Sequence, residues 1–351
     1  MQTLLKCEVM RPSELGAEEI AAWHRMMDQS PLLQRPFFAH GFALACERAG
    51  RRAYVAVLNR GAEIQGFFPF QFKSIWHERV RLAERIGGEM SQGACLVAAP
   101  GVEVEHQWLL RQCGLSALHV TQLMQGQEGF GLHAEWSALG YMTDLSDGPE
   151  AYFAALFKRD RPLVRDTERC QRKADKTYGG LHFISSEVIA PGMIAELKRD
   201  KRDQYVRTGA TDPLVDPLNS RLLEVMSEMA APDCRLTMGR LYAGEHLLAQ
   251  HLGARYQDVT SYWIPVYDPD ARSVSPGRLL LWEMIRRARE DGVRIIDYGE
   301  GDQAYKRELS TASLRYGRAF WLSGGVGSLP ARAYQGLQWR LQARRRTKSV
   351  A

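Results

Sequence analysis

Apolar and polar positions alternate most regularly between Arg235 and Tyr267. Residues 235–242 and 246–256 read as two strands around a turn at Ala243, Gly244 and Glu245, and 258–267 reads as a third. Period two is the spacing at which residues share one face of a strand. The pattern then takes a helical period over 279–290, behind Ser275, Pro276, Gly277 and Arg278. A short apolar strand follows at 293–298, then Gly299, Glu300 and Gly301, then a second helix at 302–309. A strand that ends in small residues before a helix leaves backbone N–H groups and the positive end of the helix dipole facing one point. That arrangement favours an anion there.

The same reading extends upstream. Residues 17–28 form a helix, 31–50 a loop and helix, and 53–59 with 63–72 a hairpin around Arg60, Gly61 and Ala62. Strands are expected at 79–86, 93–97, 116–124 and 133–144, with a helix at 103–114. Ser146, Asp147, Gly148 and Pro149 suit a helix start, and the domain boundary is set there. Helices at 149–157, 162–178, 193–207 and 217–230 follow, with a strand at 181–186 after Gly179 and Gly180.

The two halves echo each other. The hairpin at 53–70 matches the one at 236–253 in pattern, and each is later followed by a helix and an apolar strand, so one α/β unit occurs twice. The expected division is an N-terminal domain at 1–145, a C-terminal domain at 146–330 and a basic tail at 331–351. The first copy opens its helix with Glu103 and Glu105, which repel a phosphate, so it is expected to be inactive in cofactor binding.

Composition narrows the class. With 45% hydrophobic and 25% charged residues in 351, the chain reads as a soluble globular protein without a spanning helix. Residues 1–11 lack the apolar core of a signal peptide. The six cysteines are scattered, with no Cys-x-x-Cys and no zinc spacing, and read as reduced thiols of a cytoplasmic protein. No metal site and no Gly-x-Ser-x-Gly elbow occurs. The net charge of +5 is uneven: 158–176 holds eight Lys/Arg against four acids, and 331–351 holds six Lys/Arg and no acid. Such stretches suit an anionic membrane surface or a nucleotide ligand.

Ser275-Pro-Gly-Arg-Leu-Leu-Leu281, Asp291-Gly-Val293, Asp297-Tyr-Gly-Glu-Gly301 and Tyr305-Lys306 resemble the Gcn5-related N-acetyltransferase (GNAT) superfamily. The likeness is to its CelD-like (BioF2-like) branch, which is related to the Fem aminoacyl ligases. It extends to Trp23, Phe37 and Phe38, to Gly66–Phe70 and to Lys201–Gly209. The resemblance implies two tandem GNAT-like domains, each a mixed, mostly antiparallel sheet flanked by helices. It also implies acetyl-CoA or another acyl-CoA as co-substrate, no metal, and a sugar, sugar nucleotide or lipid-linked sugar of an exopolysaccharide pathway as acceptor. Ser275, Pro276, Gly277, Arg278 and Leu279 take the place of the family's acyl-CoA loop, though only Gly277 remains of its glycines.

Acyl transfer needs a base for the nucleophile, donors at the developing oxyanion, and a proton for the leaving thiolate. His251, on a strand facing the acceptor cleft in related folds, is the expected base, with an unperturbed pKa suited to neutral pH. Tyr262 is the expected proton donor. Asp297 and Glu300 stand where an open α/β sheet gathers ligands. Lys306 matches the lysine that in Fem-like enzymes is linked to stabilising the transfer. Lys201, Tyr205, Arg207, Trp263 and Tyr267 are expected to line the substrate site. Two alternatives stand beside this reading: a Fem-like transferase using aminoacyl-tRNA, and a non-catalytic accessory protein of a polysaccharide synthase. No heptad array for a tRNA-binding coiled coil is present, and no DNA partner is expected.

Overall fold

The computed structural model describes residues 4–229, 231–325 and 328. It divides into two compact units that are not consecutive stretches of chain. One comprises Gln34–Ala49 and Ala138–Tyr316; the other comprises the described residues up to Leu33, Gly50–Ser137 and those from Gly317 on. Gln34–Ala49 belongs with the C-terminal residues for a chemical reason. Arg35 is ion-paired with Asp297, Phe37 packs edge-on to Trp263, and the Gly41 amide donates to the Asp233 carboxylate. The tail at 331–351 lies outside the described residues.

In the unit built around Ala138–Tyr316, the strand order is Glu135–Asp144, Ile295–Glu300, Val259–Tyr267, His246–Tyr256, Arg235–Ala243 and Leu181–Ser186. Neighbours are antiparallel except Val259–Tyr267 and Ile295–Glu300, which run parallel. The connection between those two is the helix Pro276–Arg287, as a parallel pair requires. It starts one turn earlier than the sequence suggests, because Pro276 suits the first helical position, where its missing N–H breaks no bond. Leu279, Leu280, Leu281 and Ile285 are fully buried in a core shared with the helices Pro149–Arg159 and Arg161–Tyr178. Arg161–Tyr178 buries Leu163, Val164, Thr167, Cys170 and Ala174, a single stripe at helical spacing. Its Lys and Arg residues fall outside that stripe.

The other unit repeats this succession. Its strands run Leu5–Met10, Arg52–Arg60, Glu63–Phe72, Leu82–Arg85 and Ala117–Met124, with Val97–Ala98 beside Glu63–Phe72. Leu82–Arg85 and Ala117–Met124 are the parallel pair. The helix between them is only His106–Gln112, shorter than the 103–114 expected, with Glu105 as its N-cap. Trp23 stacks on Phe67 at 4.7 Å between centroids in this unit's interior. Each unit is thus a mixed, mostly antiparallel sheet with helices packed on it. The six cysteines are free thiols, and no described helix is long and apolar enough to cross a membrane.

Candidate active site

The parallel register lasts three residues, from Val259↔Ile295 to Ser261↔Asp297. Beyond it the strands part. Val259–Tyr267 stays on its antiparallel neighbour as far as Ala249↔Tyr267, while Ile295–Glu300 stays on Glu135–Asp144 as far as Glu300↔Gly140. A bulge between Leu252 and Ala254 and an irregularity between Asp297 and Glu300 accompany the divergence. The stretch 262–267 is therefore a sheet edge with no ladder partner on the Ile295–Glu300 side. An extended ligand with amide groups can pair with such an edge.

Lys306 is fixed at the mouth of this wedge. It comes from the helix Ala304–Leu309 and is 7% exposed. Its Nζ donates to the carbonyls of Tyr298 at 2.7 Å and Glu300 at 3.0 Å. An ammonium has three N–H donors, so one stays available. Burial lowers its pKa to about 8, with Asp297 and Glu300 opposing the shift. Tyr262 stands edge-on to Tyr298 at 6.3 Å and to Tyr305 at 6.5 Å. The Tyr298 hydroxyl is held by Thr143, whereas those of Tyr262 and Tyr305 make no hydrogen bond among the described residues. Burial raises the pKa of both, that of Tyr305 to about 12. They are protonated at neutral pH and can donate.

Several expected roles do not fit this geometry. His251 does lie opposite Gln250, whose amide reaches Asp200, but it is 2% exposed. Burial drives its pKa down to about 3, and its ring lies against Tyr262 at 5.1 Å. An imidazole that stays neutral and enclosed across physiological pH is not the solvent-reachable base expected. Asp297 is not a free carboxylate either. One oxygen accepts from Arg35 Nε at 2.6 Å and the other from the Gly299 amide at 2.8 Å. It shapes the end of its strand. Glu300 is half-buried at the same strand end.

Lys201 and Tyr205 come together as their spacing predicts. The Lys201 ammonium sits 5.0 Å over the Tyr205 ring and donates to the Pro265 carbonyl at 2.6 Å, on the unpartnered strand stretch. Burial lowers its pKa to about 8. Arg207, on the same helix, is exposed and apart from them. Trp263 packs edge-on to Phe37 at 5.1 Å, and Tyr267 is partly buried at the strand's end.

The expected anion cradle is thin. Pro276 has no N–H, and the amides of Arg278 and Leu279 both donate to the Ser275 carbonyl, at 3.0 and 3.1 Å. Of the amides at 276–279, only that of Gly277 remains to face a ligand. A side chain added at Gly277 would meet open space, so that side of the turn is uncovered. The Arg278 guanidinium is engaged by Asp166 and Cys170 and is not a phosphate ligand as it stands. Leu279 is buried. Lys173, which sequence reasoning passed over within a charged stretch, brings its Nζ to 3.5 Å from the Ser273 carbonyl at the same turn, and Arg272 is exposed there. The turn can hold a diphosphate through one amide and two exposed cations, while the wedge can hold an extended arm.

Residues 162–307 match the family model for the acetyltransferase (GNAT) domain. This segment is a GNAT acyltransferase domain. No curated protein matches the chain in sequence. Among solved structures, FemX is similar at a TM-score of 0.54 and 12% identity, over 88% of this chain and 97% of that one. A tandem GNAT protein from the clavulanic acid biosynthesis pathway is similar at 0.51 and 12%, over 92% and 99%. The C-terminal domain of a protein described as a lysylphosphatidylglycerol synthetase from Agrobacterium fabrum is similar at 0.52 and 13%, over 90% and 95%. These likenesses establish a tandem GNAT fold with Fem-like relatives. The parted strands lie within the matched segment, and the protein is an acyltransferase. Among the described residues no cluster of metal-binding side chains occurs.

Proposed function

We propose that the GNAT domain transfers an acyl group from acyl-CoA, acetyl-CoA in the first instance, to an amine or hydroxyl of a sugar, sugar nucleotide or lipid-linked sugar. The observation that carries the reading is the convergence of Lys306, Tyr262 and Tyr305 where the parallel strands separate. Lys306 offers its third N–H to the oxygen of the tetrahedral intermediate. Tyr262 or Tyr305 gives a proton to the departing thiolate as the C–S bond breaks. Glu300 takes the proton lost by the attacking nitrogen or oxygen as the new bond to the acyl carbon forms. Lys173, Arg272 and the Gly277 amide hold the diphosphate. The sugar acceptor, in exopolysaccharide or cell-envelope biosynthesis, is supported by the CelD-like motifs alone.

Calorimetric titration with acetyl-CoA tests the donor, and no heat at about 1 mM ligand overturns it. One observation favours a second donor. A cradle with a single free amide suits an aminoacyl ester, whose delivery does not depend on a diphosphate at that turn. Retention of charged tRNA on filters, falling steeply as salt rises, would select that donor. In the first reading the enzyme acts in the cytoplasm, with the basic tail at the inner membrane face. Flotation with anionic vesicles, with and without residues 331–351, examines that placement.

A further inference from the structure

Two thiols meet in the unit built around Gly50–Ser137, outside the segment that matches the GNAT family model. The Sγ atoms of Cys7 and Cys113 lie 3.9 Å apart, and one thiol donates to the other. The two residues are 106 positions apart in the chain. Cys7 is on the strand Leu5–Met10, whose alternation turns Leu5, Cys7 and Val9 towards the core that holds Cys113. Cys113 is the C-cap of the helix His106–Gln112. Acyl transfer uses neither thiol.

The pair is unequal in access and in freedom to move. All six cysteines are among the described residues; Cys7 is partly exposed and the other five are buried. Leu5–Met10 is the outermost strand, and its ladder neighbour among the described residues is Arg52–Arg60. Cys113 is held in place. Its amide donates to the Leu109 carbonyl, and the Arg81 guanidinium donates to the carbonyls of Cys113 at 3.0 Å and Gly114 at 2.7 Å. The contact with Cys7, and then burial, push the Cys113 thiol up, so it keeps its proton. An oxidant arriving from solvent therefore meets Cys7 first. A disulfide bond is ~2.05 Å long, so the two sulfurs must close by roughly 2 Å. Side-chain rotation at Cys7 and a small shift of the edge strand supply that movement.

We propose that Cys7 and Cys113 form a reversible modification site, which a peroxide converts into a disulfide that staples the edge strand to the helix. Cys7 loses its proton to solvent and its sulfur attacks the peroxide. An S–O bond forms, the O–O bond breaks, and the departing oxygen takes up a proton as water. The Cys113 sulfur then attacks the sulfenic sulfur of Cys7. An S–S bond forms, the S–O bond breaks, and the hydroxyl leaves with the Cys113 proton as a second water. Two electrons pass from the sulfur pair to the peroxide, and a thiol reductant reverses the change. Constraint on the unfolded chain grows with the length of the loop closed, and this loop is long. The site stands apart from acyl transfer, so failure of the donor assignment leaves it untouched, and the reverse holds too.

The test treats the full chain with hydrogen peroxide, blocks the remaining thiols, and maps peptides by mass spectrometry before and after dithiothreitol. One link within the chain is expected, joining the Cys7 and Cys113 peptides and released by dithiothreitol. The oxidised chain should melt about 5 °C or more above the reduced one. Cys7→Ser, a change at a partly exposed strand position, should lose both the link and the rise. Cys113→Ser should leave a sulfenic acid on Cys7 that dimedone captures. The measurement on the parent protein needs no variant to fold. A parent without the Cys7–Cys113 peptide, a covalent dimer through Cys7 in its place, a link among the other cysteines instead, or an oxidised chain that melts no higher than the reduced one would each overturn the proposal.

Discussion

At the scale of single residues, buried side chains are decided by what they touch. Lys306 is expected to act as an ammonium, so Lys306→Met should lower kcat by about 10²–10³, the usual loss for one oxyanion donor. Its pKa of about 8 sets the sign of the pH profile. The donor is charged below that value, so kcat should fall as pH rises through about 8. Lys201 has a similar value, and Lys201→Met should therefore keep this limb. Its disappearance in that variant would move the role away from Lys306. His251 predicts the opposite flank of stability. Its pKa is about 3 in the folded state against 6.5 unperturbed, so between these values the unfolded chain binds the extra proton. Stability should then fall as pH drops from 6.5 towards 3, by about 1 kcal/mol per pH unit near the middle of the window. Urea melts at two pH values on the parent and on His251→Gln should show the slope flattened in the variant.

The Arg35–Asp297 pair belongs to this scale as well. Both side chains are almost fully enclosed, at 3% and 4% exposed. Arg35→Met strands a buried carboxylate and should cost about 3–5 kcal/mol in urea denaturation. A loss under about 1 kcal/mol would mean that the carboxylate finds other support.

At the scale of elements, the helix Pro276–Arg287 and its turn carry the prediction. Gly277 is at the second helical position, its missing Cβ would meet open space, and its amide is the uncommitted one. Gly277→Ala should therefore leave the melting temperature unchanged or slightly higher, since Ala is favoured over Gly in a helix by up to about 1 kcal/mol. The added methyl would stand on the approach to the amide, so KM for acyl-CoA should rise about tenfold with kcat nearly constant. Unchanged KM would show that the diphosphate does not meet this turn. The element itself was legible in sequence from six apolar residues between Leu279 and Ile285, although its start at Pro276 was expected at 279. Its cradle was not. Whether an amide faces ligand or its own Ser275 carbonyl depends on the left-handed backbone at Ser275, φ 52°, which no pattern of residue types announces.

At the scale of the whole molecule, the duplication makes the strongest claim. Both units repeat outer strand, hairpin, further strand, helix and parallel strand. Among the described residues, only the GNAT domain combines a Gly277-type turn with a lysine at the strand end. The counterpart helix His106–Gln112 opens behind Glu105. One acyl-CoA per chain is the expected stoichiometry in calorimetry, and two equivalent sites would refute the division of labour between the copies.

Strand and helix periods, the turn glycines and the prolines by themselves determined the repeated α/β units, because those signals act through local backbone preference and burial of one face. The motif from Tyr305 to Lys306 likewise marked the residue that now stands at the wedge. Tertiary structure alone decided which candidates are chemically available. It brought Arg35 across 262 residues to take Asp297 out of service. It enclosed His251 until its proton affinity collapsed, and it set Lys173 beside a turn one hundred residues away. The reason is physical: availability depends on desolvation and on long-range partners, and neither is written in the neighbourhood of the residue concerned.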